Sequence, residues 1–336
     1  MPEVLLDVRD LKVHFPTADG LVKAVDGVSF TIHRGETLGV VGESGSGKSV
    51  TFLSIMGLIT RRQAILEGEV IFQSQDLLKL PAEEMRHIRG DGMGMVFQDP
   101  MTSLHPFYKV GSQIVEAIRV HQPMPKKRAW DLAVDMLRRV GIPKPAERAA
   151  QYPHEYSGGM RQRAMIAMAL VLNPDLLIAD EPTTALDVTV QAQILELIDR
   201  LKEEFNAAVV IITHDLGVVA EHCDNIQVMY AGKAVEYGDT RDIYYRAHHP
   251  YTWGLLQSIP RLEIQEERLK PIRGLPPSLI HVPKGCSFHP RCPYVMDVCR
   301  REVPLLLPAD GYHASACHLP LAEKERIFKE EVLQRA

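Results

Sequence analysis

One octapeptide constrains the fold of this chain more than any other feature of its sequence. Residues 42–49 read Gly-Glu-Ser-Gly-Ser-Gly-Lys-Ser and match the pattern G-x-x-x-x-G-K-S/T. They follow a short apolar run at 37–41 and precede a helix-compatible stretch at 49–58. A glycine-rich loop between a strand and a helix turns its backbone N–H groups inward around phosphate groups. The motif therefore predicts a P-loop that opens an α/β nucleotide-binding core.

The same loop carries the side chains that phosphate chemistry needs. Lys48 offers a point charge to the β- and γ-phosphates of a nucleotide, and the Ser49 hydroxyl can ligate Mg²⁺. The other positions contribute mainly backbone N–H groups. The predicted nucleotide-binding residues of this segment are Gly42, Ser44, Gly45, Gly47, Lys48, Ser49 and Val50.

A second apolar run, at 176–179, ends in two acidic residues, Asp180 and Glu181. Ligands of α/β sheets bind at the carboxyl ends of the strands. Asp180 is therefore predicted to hold Mg²⁺, usually through water, and Glu181 to polarise the attacking water. Taken alone, two acids after a strand could be an ordinary strand-to-loop junction. The P-loop in the same chain favours the catalytic interpretation.

Hydrophobic patterning predicts the elements around this core. Residues 4–15 and 24–32 alternate as in antiparallel strands, and apolar runs at 176–179 and 208–213 each precede a helical pattern. Strands that alternate with helices favour a mostly parallel sheet with helices on both faces. We therefore predict an α/β fold of the P-loop NTPase type, RecA-like, with an N-terminal antiparallel β-subdomain.

Two further segments complete the predicted organisation. Helical periodicity dominates at about 99–173, which predicts a helical subdomain inserted in the core. Beyond about residue 238 proline and histidine become frequent and periodicity fades, which predicts a small irregular extension. The predicted domains are thus 1–240, the nucleotide-binding domain, and 241–336, the C-terminal extension.

Composition narrows the classes of partner and compartment. The net charge of -5 argues against nucleic acid as the default partner, because binding to nucleic acid usually needs a basic face. No apolar run approaches the length of a membrane helix, and the first ten residues lack the features of a secretory signal. We therefore expect a protein of the cytoplasm that reaches any membrane through a partner.

A serine-glycine-glycine turn points to one family of P-loop proteins. Residues 156–160 read Tyr-Ser-Gly-Gly-Met and open a helix, so that free N–H groups face an anion. This segment resembles the signature motif of the ABC ATPase family. Other positions resemble that family's motifs in the same order: Phe15 (adenine stacking), Gln98 (Q-loop), Ala185, Leu186 and Asp187 (D-loop), and His214 (switch histidine).

The resemblance implies an ATPase that uses ATP and Mg²⁺. It implies that two cassettes meet head to tail, so that Ser157, Gly158 and Gly159 of one subunit close over nucleotide held by the P-loop of the other. The implied catalytic residues are Glu181, His214, Gln98 and Lys48, and the implied Mg²⁺ ligands are Ser49, Gln98 and Asp180.

Several single assignments have an ordinary structural alternative. Phe15 could be a core aromatic of its strand, and His214 a capping or core histidine. The signature also departs from the family pattern, which has leucine and glutamine where this chain has Tyr156 and Met160. Methionine cannot supply the hydrogen bonds of glutamine, which puts the turnover rate in question.

Segments at 98–106, 249–252 and 274–277 resemble the branch of this family that imports oligopeptides and dipeptides. That branch implies two transmembrane permease subunits, an extracytoplasmic peptide-binding protein and commonly a second, non-identical ATPase subunit. It places the chain peripherally on the cytoplasmic face of the inner membrane. Nickel and glutathione importers share much of the pattern and are the alternative within the family.

Two hypotheses from other functional classes compete with the importer hypothesis. An ABC ATPase of translation or DNA repair usually has two cassettes, an inserted zinc module or a long coiled coil, whereas this chain has one P-loop and no sustained heptads. A regulatory nucleotide-binding module would not hydrolyse ATP. The presence of Lys48, Asp180, Glu181 and His214 argues against it.

Four of the five cysteines lie in the last fifth of the chain: Cys286, Cys292, Cys299 and Cys317. Zinc sites usually contain closely spaced cysteine pairs, whereas a four-cysteine iron-sulfur cluster tolerates varied spacing. Some members of the peptide-importer branch are associated with a 4Fe-4S cluster at such cysteines. We expect a 4Fe-4S cluster, with zinc as the alternative and plain buried thiols as a third possibility. Cys223 is expected to be a structural core thiol.

Overall fold

A computed structural model describes residues 3–184, 186–258 and 272–333 of the chain. These residues divide into two compact units. The first unit contains residues 32–36 and 79–212 together with the N-terminal residues up to Leu5. The second unit contains residues 6–31, 37–78 and those from Thr213 onward.

The strands are β1 (Val4–Thr17), β2 (Gly20–His33), β3 (Thr37–Val41), β4 (Ile65–Phe72), β5 (Gln75–Asp76), β6 (Met93–Val96), β7 (Leu176–Asp180), β8 (Ala208–Thr213), β9 (Asn225–Tyr230), β10 (Lys233–Asp239), β11 (Leu307–Asp310) and β12 (His313–Ser315). The helices are α1 (Lys48–Ile55), α2 (Ala82–Asp91), α3 (Pro100–Ser103), α4 (Val110–His121), α5 (Lys126–Arg139), α6 (Pro145–Ala149), α7 (Gly158–Leu170), α8 (Val188–Phe205), α9 (Leu216–His222), α10 (Thr240–Tyr245), α11 (Pro250–Gln257) and α12 (Leu321–Ile327). Short 3-10 turns lie at Leu77–Lys79, Pro153–Glu155 and Asp297–Arg300, and a π turn follows at Phe328–Val332.

Three parallel strands form the centre of the first unit. β7 pairs in parallel with β6 on one side and with β8 on the other. Every residue of these strands is buried, which is the pattern of short apolar runs in a parallel sheet. The sequence predicts both β7 and β8 from those runs. The carboxyl end of β7 delivers Asp180 to the edge of the sheet.

Helices fill the rest of the first unit. Helices α3 to α7 occupy the segment between β6 and β7, where the sequence predicts helical periodicity. In α5 the buried residues recur at helical spacing, and they are Ala129, Ala133, Met136 and Leu137. α8 begins at the N-cap Asp187 and ends at Asn206, which takes the left-handed conformation with φ 51°.

The second unit contains the predicted antiparallel β-layer. Its strands follow the order β2-β1-β4-β5, and β1 pairs with β4 in antiparallel register, with Leu6 opposite Phe72. Leu11 and Val13 lie on the buried face of β1. β1 and β2 are joined by a two-residue turn at Ala18 and Asp19.

A second group of strands in this unit holds the P-loop. These strands follow the order β11-β12-β10-β9-β3, and β3 pairs in parallel with β9. All five residues of β3 are buried. The chain therefore enters the P-loop from a buried strand and leaves it into α1, which is the predicted strand-loop-helix unit.

The C-terminal extension contains more regular structure than its composition predicts. It contributes helices α10 to α12, and β12 adds to the edge of β10 with Ser315 opposite Glu236. β11 has four residues and β12 has three, and both are too short to produce a detectable hydrophobic period. None of the described helices combines the length and apolar character needed to span a lipid bilayer.

Candidate nucleotide site

The glycines of the P-loop occupy backbone conformations that other residues rarely adopt. Gly42, Gly45 and Gly47 have φ values of 151°, 78° and 101°. A Cβ atom would lie 2.2 Å from the carbonyl oxygen of Met229 at Gly42 and 2.3 Å from that of Ala24 at Gly47. The entry and exit of the loop therefore require glycine for a steric reason as well as a conformational one.

Lys48 lies against the loop to which it belongs. Its Nζ donates to the carbonyl oxygen of Gly42 at 2.7 Å and to that of Glu43 at 3.1 Å, and the residue is buried. Ser49 and Val50 are half-buried in the first turn of α1, while Ser44 and Gly45 are exposed. The structure thus gathers the predicted residues of this segment into one turn with a lysine ammonium at its centre.

The first unit brings together two residues that the sequence assigns to catalysis. Gln98 follows β6, and its Nε2 donates to Oε2 of Glu181 at 2.9 Å. Glu181 has φ 47°, a left-handed conformation that is uncommon outside glycine and that clusters at functional sites. Asp180, the last residue of β7, is buried.

Sequence reasoning missed Thr184 as a partner of this pair. The Thr184 hydroxyl donates to the same Oε2 atom of Glu181 at 2.9 Å. Two donors therefore converge on one carboxylate oxygen and fix its direction. The position of Thr184, three residues after Glu181, was the available signal, because such spacing permits a local turn contact.

The serine-glycine turn forms the N-terminus of α7, as predicted. Ser157 is the N-cap residue, and its side chain accepts from the backbone N–H of Met160 at 3.3 Å. Ser157 and Gly158 are exposed. A Cβ atom at Gly159 would lie 2.9 Å from Cγ1 of Val190, so glycine here permits close packing of α7 and α8.

Tyr156 explains one departure from the usual signature. The residue is buried, and its hydroxyl donates to the carbonyl oxygen of Arg148 at 2.9 Å. Burial raises the pKa of Tyr156 to about 12, so its hydroxyl stays protonated and able to donate. Tyr156 therefore anchors the start of the turn by packing and one hydrogen bond, and the serine remains exposed.

The remaining predicted residues lie on separate elements. Phe15 is half-buried near the end of β1, and His214 is exposed immediately after β8. Asp187 caps α8 through a hydrogen bond that its Oδ1 accepts from the N–H of Val190 at 3.0 Å. Ala185 of the predicted D-loop lies outside the described residues.

Sequence reasoning also missed a contact network at Glu43, the second residue of the P-loop. The Arg291 guanidinium pairs with the Glu43 carboxylate through two contacts, at 2.6 Å and 3.0 Å. The backbone N–H of Glu43 donates to the Tyr251 hydroxyl at 2.8 Å. Tyr251 belongs to the 249–252 segment that the sequence singled out, but its partner could not be read from spacing.

The four late cysteines converge on one pocket of the second unit. Cys286, Cys292, Cys299 and Cys317 all line this pocket. Its lining also includes His249, Phe288, Tyr294 and Leu319. The backbone N–H of Cys286 donates to the carbonyl oxygen of Cys299 at 2.8 Å, which ties two of the four segments together. Cys223 is buried apart from this lining, after α9.

Burial and mutual repulsion disfavour thiolates in this pocket. Burial, with smaller contributions from the neighbouring cysteines, raises the pKa of Cys292 to about 12 and that of Cys317 to about 11. Burial also raises the pKa of Cys286. Without a cation the thiols of Cys286, Cys292 and Cys317 are protonated at neutral pH. A bound metal centre would reverse this preference, because coordination deprotonates thiols.

Comparison with known proteins identifies the family. Residues 25–184 match the family described as ABC transporter, and residues 235–299 match the family described as oligopeptide/dipeptide transporter, C-terminal region. The oligopeptide transport ATP-binding protein OppD of Salmonella typhimurium is 51% identical over 320 residues, which cover 95% of this chain and 95% of that protein. This chain belongs to the ABC transporter family.

Other relatives extend the likeness. The dipeptide transport ATP-binding protein DppD of Bacillus subtilis is 52% identical to this ABC protein over 318 residues, 94% of this chain and 95% of the relative. Among solved structures, the ATP-binding cassette MJ0796, bound to ADP and Pi in a dimeric post-hydrolysis state, is similar with a TM-score of 0.64 and 28% identity. That match covers 70% of this chain and 99% of MJ0796. The predicted ABC-type P-loop fold is thereby confirmed.

Proposed function

We propose that this chain is the ATP-hydrolysing subunit of an ABC importer for oligopeptides or dipeptides. The observation that carries the proposal is the similarity to OppD and DppD over almost the whole length of the chain. The match at residues 235–299 supports it, because that family is described as the C-terminal region of oligopeptide and dipeptide transporters. Peptide import is therefore favoured over the nickel or glutathione alternative.

ATP chemistry is assigned to the residues that the family motifs mark. Lys48 and the N–H groups of the loop bind the phosphates. The proposed Mg²⁺ ligands are Ser49, Gln98 and Asp180, and Phe15 stacks on adenine. Glu181 polarises the attacking water, and the contact of its Oε2 with Gln98 and Thr184 supports this role because both donors orient the carboxylate. His214 donates to the γ-phosphate, and Asp187 belongs to the D-loop.

The second half of the reaction site comes from another subunit in this proposal. The exposed Ser157, with Gly158 and Gly159 behind it at the N-terminus of α7, is placed to receive a phosphate held by a partner cassette. Phosphoryl transfer depends mainly on positioning and charge neutralisation, so such closure couples hydrolysis to dimerisation. The dimeric state named for MJ0796 supports this arrangement.

The proposed assembly is an importer on the cytoplasmic face of the inner membrane. It contains two transmembrane permease subunits and a second, non-identical ATPase, and it receives peptide from an extracytoplasmic binding protein. Two exposed aromatic residues, Phe107 and Tyr108, follow Gln98 in the sequence and offer apolar surface for a permease subunit. We retain 1–240 as the ATPase domain and 241–336 as the extension.

One experiment tests the function directly. The chain is co-expressed with its permease subunits, purified and reconstituted, and ATPase rates are measured with and without peptide-loaded binding protein. We expect stimulation by di- or oligopeptide, and none by nickel or glutathione. ATPase activity that responds to nickel or glutathione alone would replace the peptide assignment, and failure to associate with any permease would favour a non-transporter ATPase.

We further propose that the cysteine pocket holds a 4Fe-4S cluster. Four thiols on one largely apolar pocket lining fit a four-cysteine centre. Their spacing in the sequence also favours a cluster over zinc, because zinc sites usually contain closely spaced cysteine pairs, whereas a four-cysteine iron-sulfur cluster tolerates varied spacing.

Such a cluster would supply a cationic iron centre that holds the four cysteine segments together. Iron and acid-labile sulfide are measured in protein purified without oxygen, together with zinc. We expect iron and sulfide in equal amounts, and their loss in a Cys292→Ser variant. Zinc without iron would make the pocket a zinc site, and neither metal would leave buried thiols.

A further inference from the structure

The P-loop contains one acidic side chain, Glu43, in a segment that is otherwise suited to bind a polyanion. An unpaired carboxylate beside a bound triphosphate would repel it, since like charges at short range disfavour each other. The side chain of Glu43 is 29% exposed, so water alone screens it only in part. A cation paired with Glu43 would remove this repulsion.

Arg291 supplies that cation from the C-terminal extension. Its guanidinium makes a two-point contact with the Glu43 carboxylate, and its side chain is only 5% exposed. The Arg291 Nε donates to the carbonyl oxygen of Arg273 at 3.0 Å, and Nη2 donates to that of Gly274 at 3.2 Å. The guanidinium also lies over the ring of Tyr230, at 5.8 Å. Arg291 is thus fixed before nucleotide arrives.

Tyr251 holds the backbone of the same residue. Its hydroxyl accepts from the N–H of Glu43 at 2.8 Å, and the side chain is fully buried. The ring packs on Tyr230 at 4.6 Å and on Phe288 at 5.4 Å between ring centroids. Phe288 and Arg291 both belong to the segment between Cys286 and Cys292, so this segment supports the P-loop at two points.

We propose that Arg291 and Tyr251 are positioning residues for the P-loop. Arg291 neutralises Glu43 and fixes its side chain, while Tyr251 fixes its backbone, and together they hold the loop ready for ATP. The inference rests on the proposed function, in that the loop must bind ATP. It adds that the C-terminal extension sets the affinity of the loop for nucleotide.

Removing the cation should weaken nucleotide binding only while the carboxylate remains. Arg291→Met leaves Glu43 charged beside the phosphates, and we expect the Kd for ATP to rise roughly tenfold. Arg291→Lys keeps the charge without the two-point contact, and it should rescue part of the loss. Glu43→Gln removes the repulsion, so Arg291→Met should have little effect when both changes are present.

The test is a double-mutant cycle on the full-length chain. The wild type, Arg291→Met, Glu43→Gln and the double variant are titrated with a non-hydrolysable ATP analogue and Mg²⁺ at one salt concentration. Arg300→Met, an exposed arginine nine positions away, is the matched control and should bind as the wild type does. Tyr251→Phe, which removes only the hydroxyl, provides a second variant should Arg291→Met fail to fold, and it should raise the Kd several-fold.

The outcomes separate this inference from the function on which it rests. A tenfold loss in Arg291→Met that shrinks below about twofold in the Glu43→Gln background supports the proposal. Equal losses in both backgrounds, or wild-type affinity in Arg291→Met and Tyr251→Phe, would overturn it. A folded wild-type chain that binds no analogue would overturn the proposed function, and this inference with it.

Discussion

Gln98 and Glu181 are joined by a hydrogen bond of 2.9 Å from the amide Nε2 of the first to Oε2 of the second. The two residues are 83 positions apart in sequence, and each follows a buried strand of the same parallel sheet. A donor on one carboxylate oxygen fixes the orientation of the carboxylate. The contact supports the proposed role of Glu181 as the general base, because it orients the carboxylate.

The first prediction concerns Glu181→Gln. An amide cannot take a proton from water, so we expect ATP hydrolysis to fall by at least about 100-fold while ATP binding is retained. Single-turnover hydrolysis and equilibrium ATP binding are measured on the same preparation. Glu203→Gln, an exposed glutamate at the end of α8, is the control and should hydrolyse ATP normally. A wild-type rate of ATP hydrolysis in Glu181→Gln would show that Glu181 is not the general base.

Local sequence predicted the parts of the site that depend on local chemistry. The strand, glycine loop and helix around Lys48 are determined by neighbouring residues, and so is the capped turn at Ser157. The pairing of Arg291 with Glu43 joins residues 248 positions apart, and no periodicity or spacing encodes it. The sequence of residues 313–315 did not predict a strand, for a similar reason. A three-residue strand forms because it pairs with the edge of β10, which is distant in the sequence.

A second prediction compares two adjacent glycines of α7. A Cβ atom at Gly159 would lie 2.9 Å from Val190, whereas one at Gly158 would meet Leu186 at an ordinary 3.7 Å. Alanine favours a helix over glycine, so Gly158→Ala should be neutral or stabilise slightly. Gly159→Ala should lower the free energy of unfolding by about 1 kcal/mol, because Val190 must shift. Urea unfolding of both variants measures the difference, and equal stabilities would contradict it.

A third prediction separates steric from conformational requirements in the P-loop. Gly42→Ala places a methyl group against the carbonyl of Met229, and we expect a misfolded loop that no longer binds ATP. At Gly45 no atom lies within 4 Å of the added Cβ, although φ is 78°. Gly45→Ala should therefore cost about 1 kcal/mol of backbone strain and leave a folded chain. Thermal unfolding and ATP titration distinguish the two, and similar behaviour would refute the steric account.

The last prediction concerns the buried histidines of the second unit. His248 stacks on His313 with 4.0 Å between ring centroids, and the backbone N–H of His248 donates to the buried carboxylate of Glu236. Burial, with smaller electrostatic contributions from His313 and Lys324, lowers the pKa of His248 to about 4.

Because the pKa in the folded chain lies below the ordinary value of about 6.5, the unfolded chain binds more protons between pH 6.5 and 4. The contribution of His248 to the free energy of unfolding is therefore fully present above about pH 6.5. It falls by about 1 kcal/mol for each pH unit between about pH 6.5 and 4.

His248→Phe keeps the stacked ring without a titrating nitrogen, and we expect a shallower decline between pH 6.5 and 5. Urea unfolding across this range measures the slope. His281→Gln, an exposed histidine of the extension, is the control, and a slope unchanged in His248→Phe would show that other groups cause the acid sensitivity.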